Sequence, residues 1–275
     1  LPMVAIELEY GYGNSAKGGR ELPLTLSLKN EEQTELKGTL EILTRQSDGE
    51  CYAYEYPLEL AAAETQRAQY VVPIGVGSDQ LVLLIKNEAG ELVSESSHTL
   101  NINVTTPELF IGILSDRPEA LSYLDRASVN YGQLRTHSYV LAGDSFPSER
   151  RQLDSFDVIV VNGYRLSRLD VEQMRALMQW MRDGGVLMLG TGERVNDTLG
   201  IIAPEFLDDI YESPEELTLN LSELQEADAP GAEELTLPLV HFSLHGGTVL
   251  FSSDSEPLIT AANKGKGALA VASFD

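Results

Sequence analysis

The sequence holds one cysteine, Cys51, and four histidines in 275 residues. A single thiol excludes an internal disulfide, and so few imidazoles leave little from which to build a zinc centre or a histidine-based catalytic site. Basic residues are scarce too: 19 Lys and Arg stand against 43 Asp and Glu, a net charge of −24. A field of that sign repels polyphosphates, so neither nucleic acid nor an anionic membrane surface is an expected partner. No apolar run approaches the roughly 18 residues that read as a membrane span. Phosphate-binding loops and Gly-x-Ser-x-Gly turns are missing as well, and no cofactor or metal is expected. What remains is 43% hydrophobic and 23% charged, a globular composition. The length exceeds the roughly 100 to 200 residues of one domain, so two domains are expected. Leu1-Pro2-Met3 carries no signal peptide, and the last strand-like run, 268–274, ends one residue before the chain does. Such ends are expected of a segment taken from a larger protein, as when the signal or anchor of an envelope protein is removed.

Up to about residue 106 the apolar period is two. Val4, Ile6, Leu8 and Tyr10 alternate with polar residues, as do Leu22, Leu24, Leu26 and Leu28, then Leu40 and Ile42. The alternation returns at Tyr52 to Leu60, at Ala68, Tyr70 and Val72, at Leu81 to Ile85, and at Leu100, Ile102 and Val104. Turn-forming residues separate the runs, among them 11–19, Ser47-Asp48-Gly49 and Asn87-Glu88-Ala89-Gly90. Seven half-buried strands without a long helical stretch predict an all-β immunoglobulin-like sandwich over 1–106, although the Cys-Trp-Cys core of antibody domains is missing.

From 107 to 275 the pattern changes to α/β. Leu109 to Leu114 and Phe156 to Val161 are nearly continuous apolar runs, as expected of strands covered on both faces. Ser115-Asp116-Arg117-Pro118 reads as a helix start, and Leu134 to Leu141 as a further strand. Asp170 with Gln173 makes a capping box for a helix presenting Val171, Met174, Leu177, Met178 and Met181 on one face, stopped by Gly184-Gly185. Val186 to Leu189, Gly247 to Phe251, Leu258 to Ala262 and Ala268 to Phe274 complete a three-layer, mostly parallel sheet with helices on both faces. Asn263-Lys264-Gly265-Lys266-Gly267 reads as the hairpin joining the last two strands.

Within this region the acids cluster. No Lys or Arg occurs between Arg194 and Lys264, and eleven acids fall in 205–234. The expectation is a solvated acidic insertion at about 196–236; a cation site is the alternative, but no calcium-loop spacing is present. His241 and His245 would lie roughly 13 Å apart on a strand, too far to share one ion. Cys51 reads as a buried or inert thiol.

The strand Phe156 to Val161 with Asn162-Gly163, the capped helix ending Trp180-Met181-Arg182-Asp183-Gly184-Gly185, the strand Val186 to Leu189 with Gly190-Thr191-Gly192, and the Gly265-Lys266-Gly267 hairpin together resemble the class I glutamine amidotransferase-like fold, of flavodoxin-like architecture. More narrowly, they resemble its non-catalytic branch, over about 60% of the chain. The resemblance implies a β-sandwich and an amidotransferase-like domain in the extracellular region of a bacterial membrane protein. Active members of that fold carry a Cys on the turn after the strand matching Val186 to Leu189, with a His and a Glu after a late strand. Here Gly190 or Thr191 stands at the nucleophile's place and Asp275 at the histidine's. No catalytic residue is therefore assigned. Thr191 reads as a loop hydroxyl capping a helix.

Open α/β sheets bind ligands at the carboxyl ends of their strands. That rule picks out Ser115, Asp116, Asn162, Gly163, Tyr164, Gly190, Thr191, Gly192 and Glu193 as candidate ligand-binding residues. The expected function is a non-enzymatic binding or interaction region outside the cytoplasm, anchored to the bacterial cell membrane through segments beyond these residues. Its partner would be a protein or small molecule at the cell envelope. The alternatives are a hydrolase using Asp116, Glu193 and Asp254, or an accessory domain of an envelope transport complex.

Overall fold

The computed structural model describes residues 3–45, 49–77, 79–102, 107–220 and 234–275. The chain divides into two units, 1–108 and 109–275.

The first unit is all β. Its strands are β1 (Val4–Tyr10), β2 (Glu21–Asn30), β3 (Leu36–Arg45), β4 (Cys51–Leu60), β5 (Thr65–Pro73), β6 (Gln80–Asn87) and β7 (Leu92–Thr99). They form two antiparallel sheets, ordered β1-β2-β5 and β4-β3-β6-β7. Alternation decides which side chains face inward: Leu22, Leu24, Leu26 and Leu28 of β2 are buried in one core with Leu40 and Ile42 of β3 and Leu81, Leu83 and Ile85 of β6. Each such side chain contributes roughly 1.5–3 kcal/mol on burial. The seventh strand corrects the expectation. It lies at 92–99, ahead of Leu100 and Ile102, and its inward position near the start is the polar Ser94. That hydroxyl donates to Val4 O at 3.0 Å and accepts from Val4 N at 2.9 Å, so a hydrogen-bonded serine replaces the apolar residue that alternation looks for. Cys51, expected buried or inert, is exposed at the start of β4.

The second unit is built on a mixed eight-stranded sheet, ordered β15-β16-β17-β12-β11-β8-β10-β9. These are β8 (Glu108–Leu114), β9 (Ser128–Val129), β10 (Leu134–Val140), β11 (Val158–Val161), β12 (Val186–Leu189), β15 (Thr248–Ser253), β16 (Glu256–Lys264) and β17 (Gly267–Ala272). The inner four, β8, β11, β12 and β17, run parallel. Antiparallel hairpins extend the sheet on both sides, so the mostly parallel sheet of the sequence reading is a parallel centre inside a mixed one. The Gly265-Lys266 turn joins β16 to β17 as expected.

The helix α1 (Val171–Asp183) opens on the anticipated capping box: Asp170 Oδ1 accepts from Gln173 N at 2.8 Å, and Gln173 Oε1 accepts from Asp170 N at 3.0 Å. Its buried face differs from the expected one, because Val171 is exposed while Ala176 and Trp180 are buried. Trp180 Nε1 donates to Phe156 O at 3.2 Å, which gives the indole a partner and pulls the face around.

The two faces of the parallel centre are not covered alike. Ile159, Val161, Leu187 and Leu189 are wholly buried, whereas Val158, Val186 and Met188, which point the other way, are half-buried. On that second face Ile111, Ile113 and Val160 pack against Leu121 and Leu124. The covering segment, Pro118–Leu124, is a 3₁₀ helix and not the expected α-helix. Arg117 at its start makes no side-chain cap, and its two leucines are three apart, the period at which a 3₁₀ helix stacks side chains.

The acidic region is more structured than a solvated insertion. It contains α2 (Leu199–Phe206) and the hairpin of β13 (Glu215–Asn220) and β14 (Glu234–Leu239). Leu217, Leu219, Leu237 and Leu239 pack with Leu258 and Phe274 into a small core. Glu223, Glu226, Asp228 and Glu233 lie outside the described residues, as do Ser47-Asp48 and Val104.

Candidate functional site

The carboxyl ends of the four parallel strands stand side by side. Above the half-covered face they enclose a cavity of about 290 Å³. Each strand supplies a wall: Ser115 and Arg117 follow β8, Asn162 and Gly163 follow β11, Gly190 follows β12, and Phe274 with Asp275 follows β17. Val160, Met188 and Ala272 line it from the sheet, and Leu121 and Tyr123 from the 3₁₀ segment. The cleft is apolar toward the sheet and polar at the strand ends.

Asn162 is the unusual member. Its Oδ1 is buried without a hydrogen-bond partner, a state that costs about 1–3 kcal/mol. The amide lies against Gly190, where a Cβ would stand 1.8 Å from Oδ1. Position 190 is therefore a glycine because Asn162 occupies the space of a side chain there. Gly192 has a φ of +55, and a Cβ on it would meet Asp275 Oδ1 at 2.7 Å. The Gly190-Thr191-Gly192 turn thus admits close approach from both β11 and β17.

Around the rim the loops are laced by ion pairs. Asp116 accepts from Arg168 at 2.8 Å and from Arg194 at 3.2 Å. Arg194 also donates to Gly163 O and to Asp197 at 2.8 Å, and Arg165 reaches Asp197 at 3.0 Å. The loops after β8, β11 and β12 are joined in this way. The hydrogen bond from Arg194 is the main reason that the Asp197 carboxyl titrates below its ordinary range.

Not all nine candidate residues reach the cavity. Ser115, Asn162, Gly163 and Gly190 line it. Asp116 belongs to the ion-pair rim. Tyr164 is buried, its hydroxyl against Gly143 and its ring under Arg168 at 4.7 Å, and burial raises its pKa. Thr191 is 0% exposed, and its hydroxyl donates to Ala272 O at 2.7 Å. It caps no helix, because the chain after it is a short 3₁₀ turn with no side-chain cap. Gly192 is buried beside Asp275, and Glu193 is exposed. Arg117, which lines the cavity two residues beyond Ser115, was not among the expected positions, nor were Arg165, Arg168 and Arg194, which converge on Asp116 and Asp197 only in the folded chain.

The carboxylates of the hydrolase alternative have separate occupations. Asp116 is held by two arginines, Asp254 accepts from Asn220 N at 2.7 Å on the far hairpin, and Glu193 is exposed. His241 and His245 lie in loop and pair with different acids, Glu256 at 2.7 Å and Asp208 at 2.6 Å. Among the described residues no three His, Cys, Asp or Glu side chains group closely enough to hold a metal ion. No helix of the described residues is long and apolar enough to cross a membrane.

Residues 3–101 match the model of a family described as a domain of unknown function, DUF8726. No curated protein matches the chain. Among solved structures, a cytoplasmic protein of Salmonella typhimurium, STM3548, is 16% identical and aligns 62% of this chain with 87% of its own at a TM-score of 0.39. The CARDB domain of the PF1109 protein from Pyrococcus furiosus is 10% identical, with 37% of this chain aligned to 89% of that one at a TM-score of 0.28. The alkylpurine DNA glycosylase AlkC of Pseudomonas fluorescens is 15% identical over 38% of this chain, with a TM-score of 0.26; the match spans 31% of that enzyme's length. Likenesses this distant carry no argument about what the chain does.

Proposed function

We propose that the chain is a non-enzymatic binding region, an immunoglobulin-like sandwich followed by a catalytically empty amidotransferase-like domain, whose ligand occupies the cleft at the carboxyl ends of β8, β11, β12 and β17. Two sheets of three and four strands over one core support the immunoglobulin-like reading of the first unit. Four adjacent parallel strands with a glycine turn after β12 support the amidotransferase-like reading of the second. One observation carries the absence of chemistry: Thr191, at the nucleophile's place, is wholly buried with its hydroxyl committed to Ala272 O. A nucleophile needs exposure and a neighbouring base. In this reading the region stands outside the cytoplasm in a membrane-anchored bacterial protein and meets a protein or small molecule of the envelope.

The test is an NMR screen of a metabolite and ester library against the protein, with turnover followed in the same samples. Shifts at Asn162 and Met188 without product formation are the expected result. Turnover that disappears in Asp116→Asn would overturn the reading in favour of the hydrolase. Protease digestion of intact cells expressing the full-length parent tests the location; protection of this region from external protease would remove the extracytoplasmic assignment.

A further inference from the structure

The charges on the cleft wall differ from those of the rim. Arg165, Arg168 and Arg194 all have carboxylate partners. Arg117 and Asp275 line the cavity, and neither has an ion pair among the described residues. They also stand at opposite ends of it. Arg117 follows β8 and Asp275 follows β17, and the sheet order between them is β8-β11-β12-β17. Three inter-strand steps of roughly 4.8 Å separate those strand ends by about 14 Å. Between the two charges lie Val160 of β11, Met188 of β12 and Ala272 of β17, all apolar. Asn162 sits between them with its amide oxygen unbonded. The cleft is therefore a trough with a cation at one end, an anion at the other and an apolar floor.

From this arrangement we infer that the ligand is a zwitterion with separated charges, a carboxylate and an ammonium joined by an apolar spacer, as in an ω-amino acid or the two ends of a short peptide. The inference rests on the cleft being the ligand site and adds the ligand's chemical class. Arg117 presents a planar fork suited to a carboxylate. Asp275, placed over the Gly192 turn, accepts from the ammonium. An α-amino acid, whose charges are adjacent, satisfies only one end. A monocarboxylate leaves Asp275 unpaired, and an amine leaves Arg117 unpaired. The volume of about 290 Å³ is at the small end of the roughly 300–1,000 Å³ found for ligand pockets, which limits the spacer to a few carbon atoms.

The probes are 6-aminohexanoate, hexanoate and hexylamine, titrated into the millimolar range against the 275-residue protein with NMR detection at Asn162, Met188 and Ala272. The expected result is that 6-aminohexanoate binds in the cleft more tightly than either singly charged probe. Arg117→Ala and Asp275→Asn should each weaken it about tenfold, the change that accompanies loss of one charged hydrogen bond. Both residues are exposed and unpaired, so an unchanged melting temperature is expected of both variants. If hexanoate or hexylamine binds in the cleft as well as the zwitterion does, the charge-separated class is overturned while the cleft stands as the site. If none of the three probes nor any compound of the wider library perturbs the cleft, both the ligand class and the cleft reading fall.

Discussion

Gly190 and Asn162 share one space, so the cost of altering either depends on the other. In Gly190→Ala the added methyl would stand 1.8 Å from Asn162 Oδ1, and overpacking of this kind costs about 1–3 kcal/mol. Truncating the neighbour relieves it: Gly190→Ala with Asn162→Ala should recover most of the loss in urea denaturation. A double variant no more stable than Gly190→Ala alone would mean that the backbone, and not the asparagine, demands glycine there. Asp197 makes a second residue-level prediction. Its pKa is lowered mainly by the hydrogen bond from Arg194. A depressed folded-state pKa gives stability that is present above the unfolded value of about 3.9 and is lost as pH falls through the folded value. Asp197→Asn should therefore flatten the fall of the denaturation midpoint below about pH 4. An acid limb identical to that of the parent would show that the ion pair does not contribute.

At the scale of elements, α1 depends on its cap. Asp170→Ala removes the acceptor for Gln173 N and should cost roughly 1 kcal/mol, read as a shift of the urea midpoint; Asp170→Ser should keep most of the stability. The edge strand β15 behaves differently, because it is held on one side only. Val249, Leu250 and Phe251 are 48%, 62% and 42% exposed along it. Apolar edge strands invite pairing with another chain. Leu250→Lys should raise the concentration at which the protein begins to associate, measured by light scattering, and leave the melting temperature unchanged. Unaltered association would place the sticky surface elsewhere.

On the scale of the whole molecule, the two units have separate cores. The cluster of the first unit draws every member from residues 4–102, so 1–108 expressed alone should give a cooperative thermal transition and dispersed NMR signals. A disordered spectrum would show that the second unit is needed to complete it. The charge of −24 is also a property of the whole, yet Arg117 lines the cleft and Arg165, Arg168 and Arg194 gather at its rim. Local charge at that site therefore differs from what the total leads one to expect.

Alternation alone located the first six strands, because Leu22 to Leu28 and Leu81 to Ile85 have a period of two that only a half-buried strand satisfies. It lost the seventh because Ser94 is satisfied by hydrogen bonds to Val4, a partner ninety residues away. The capping box of α1 was equally legible, being a contact between residues three apart. The ligand cleft was legible only in part. Strand ends at Ser115, Asn162 and Gly190 could be found in the sequence, since each follows an apolar run. Which side chains meet there could not. The order β8-β11-β12-β17, the reach of Arg194 to Asp116 and Gly163, and the burial of Thr191 under Ala272 are all long-range contacts. Local periodicity and capping belong to neighbours along the chain and are written in the sequence, whereas the partners of a polar side chain across a sheet are chosen by packing and exist only once the chain has folded.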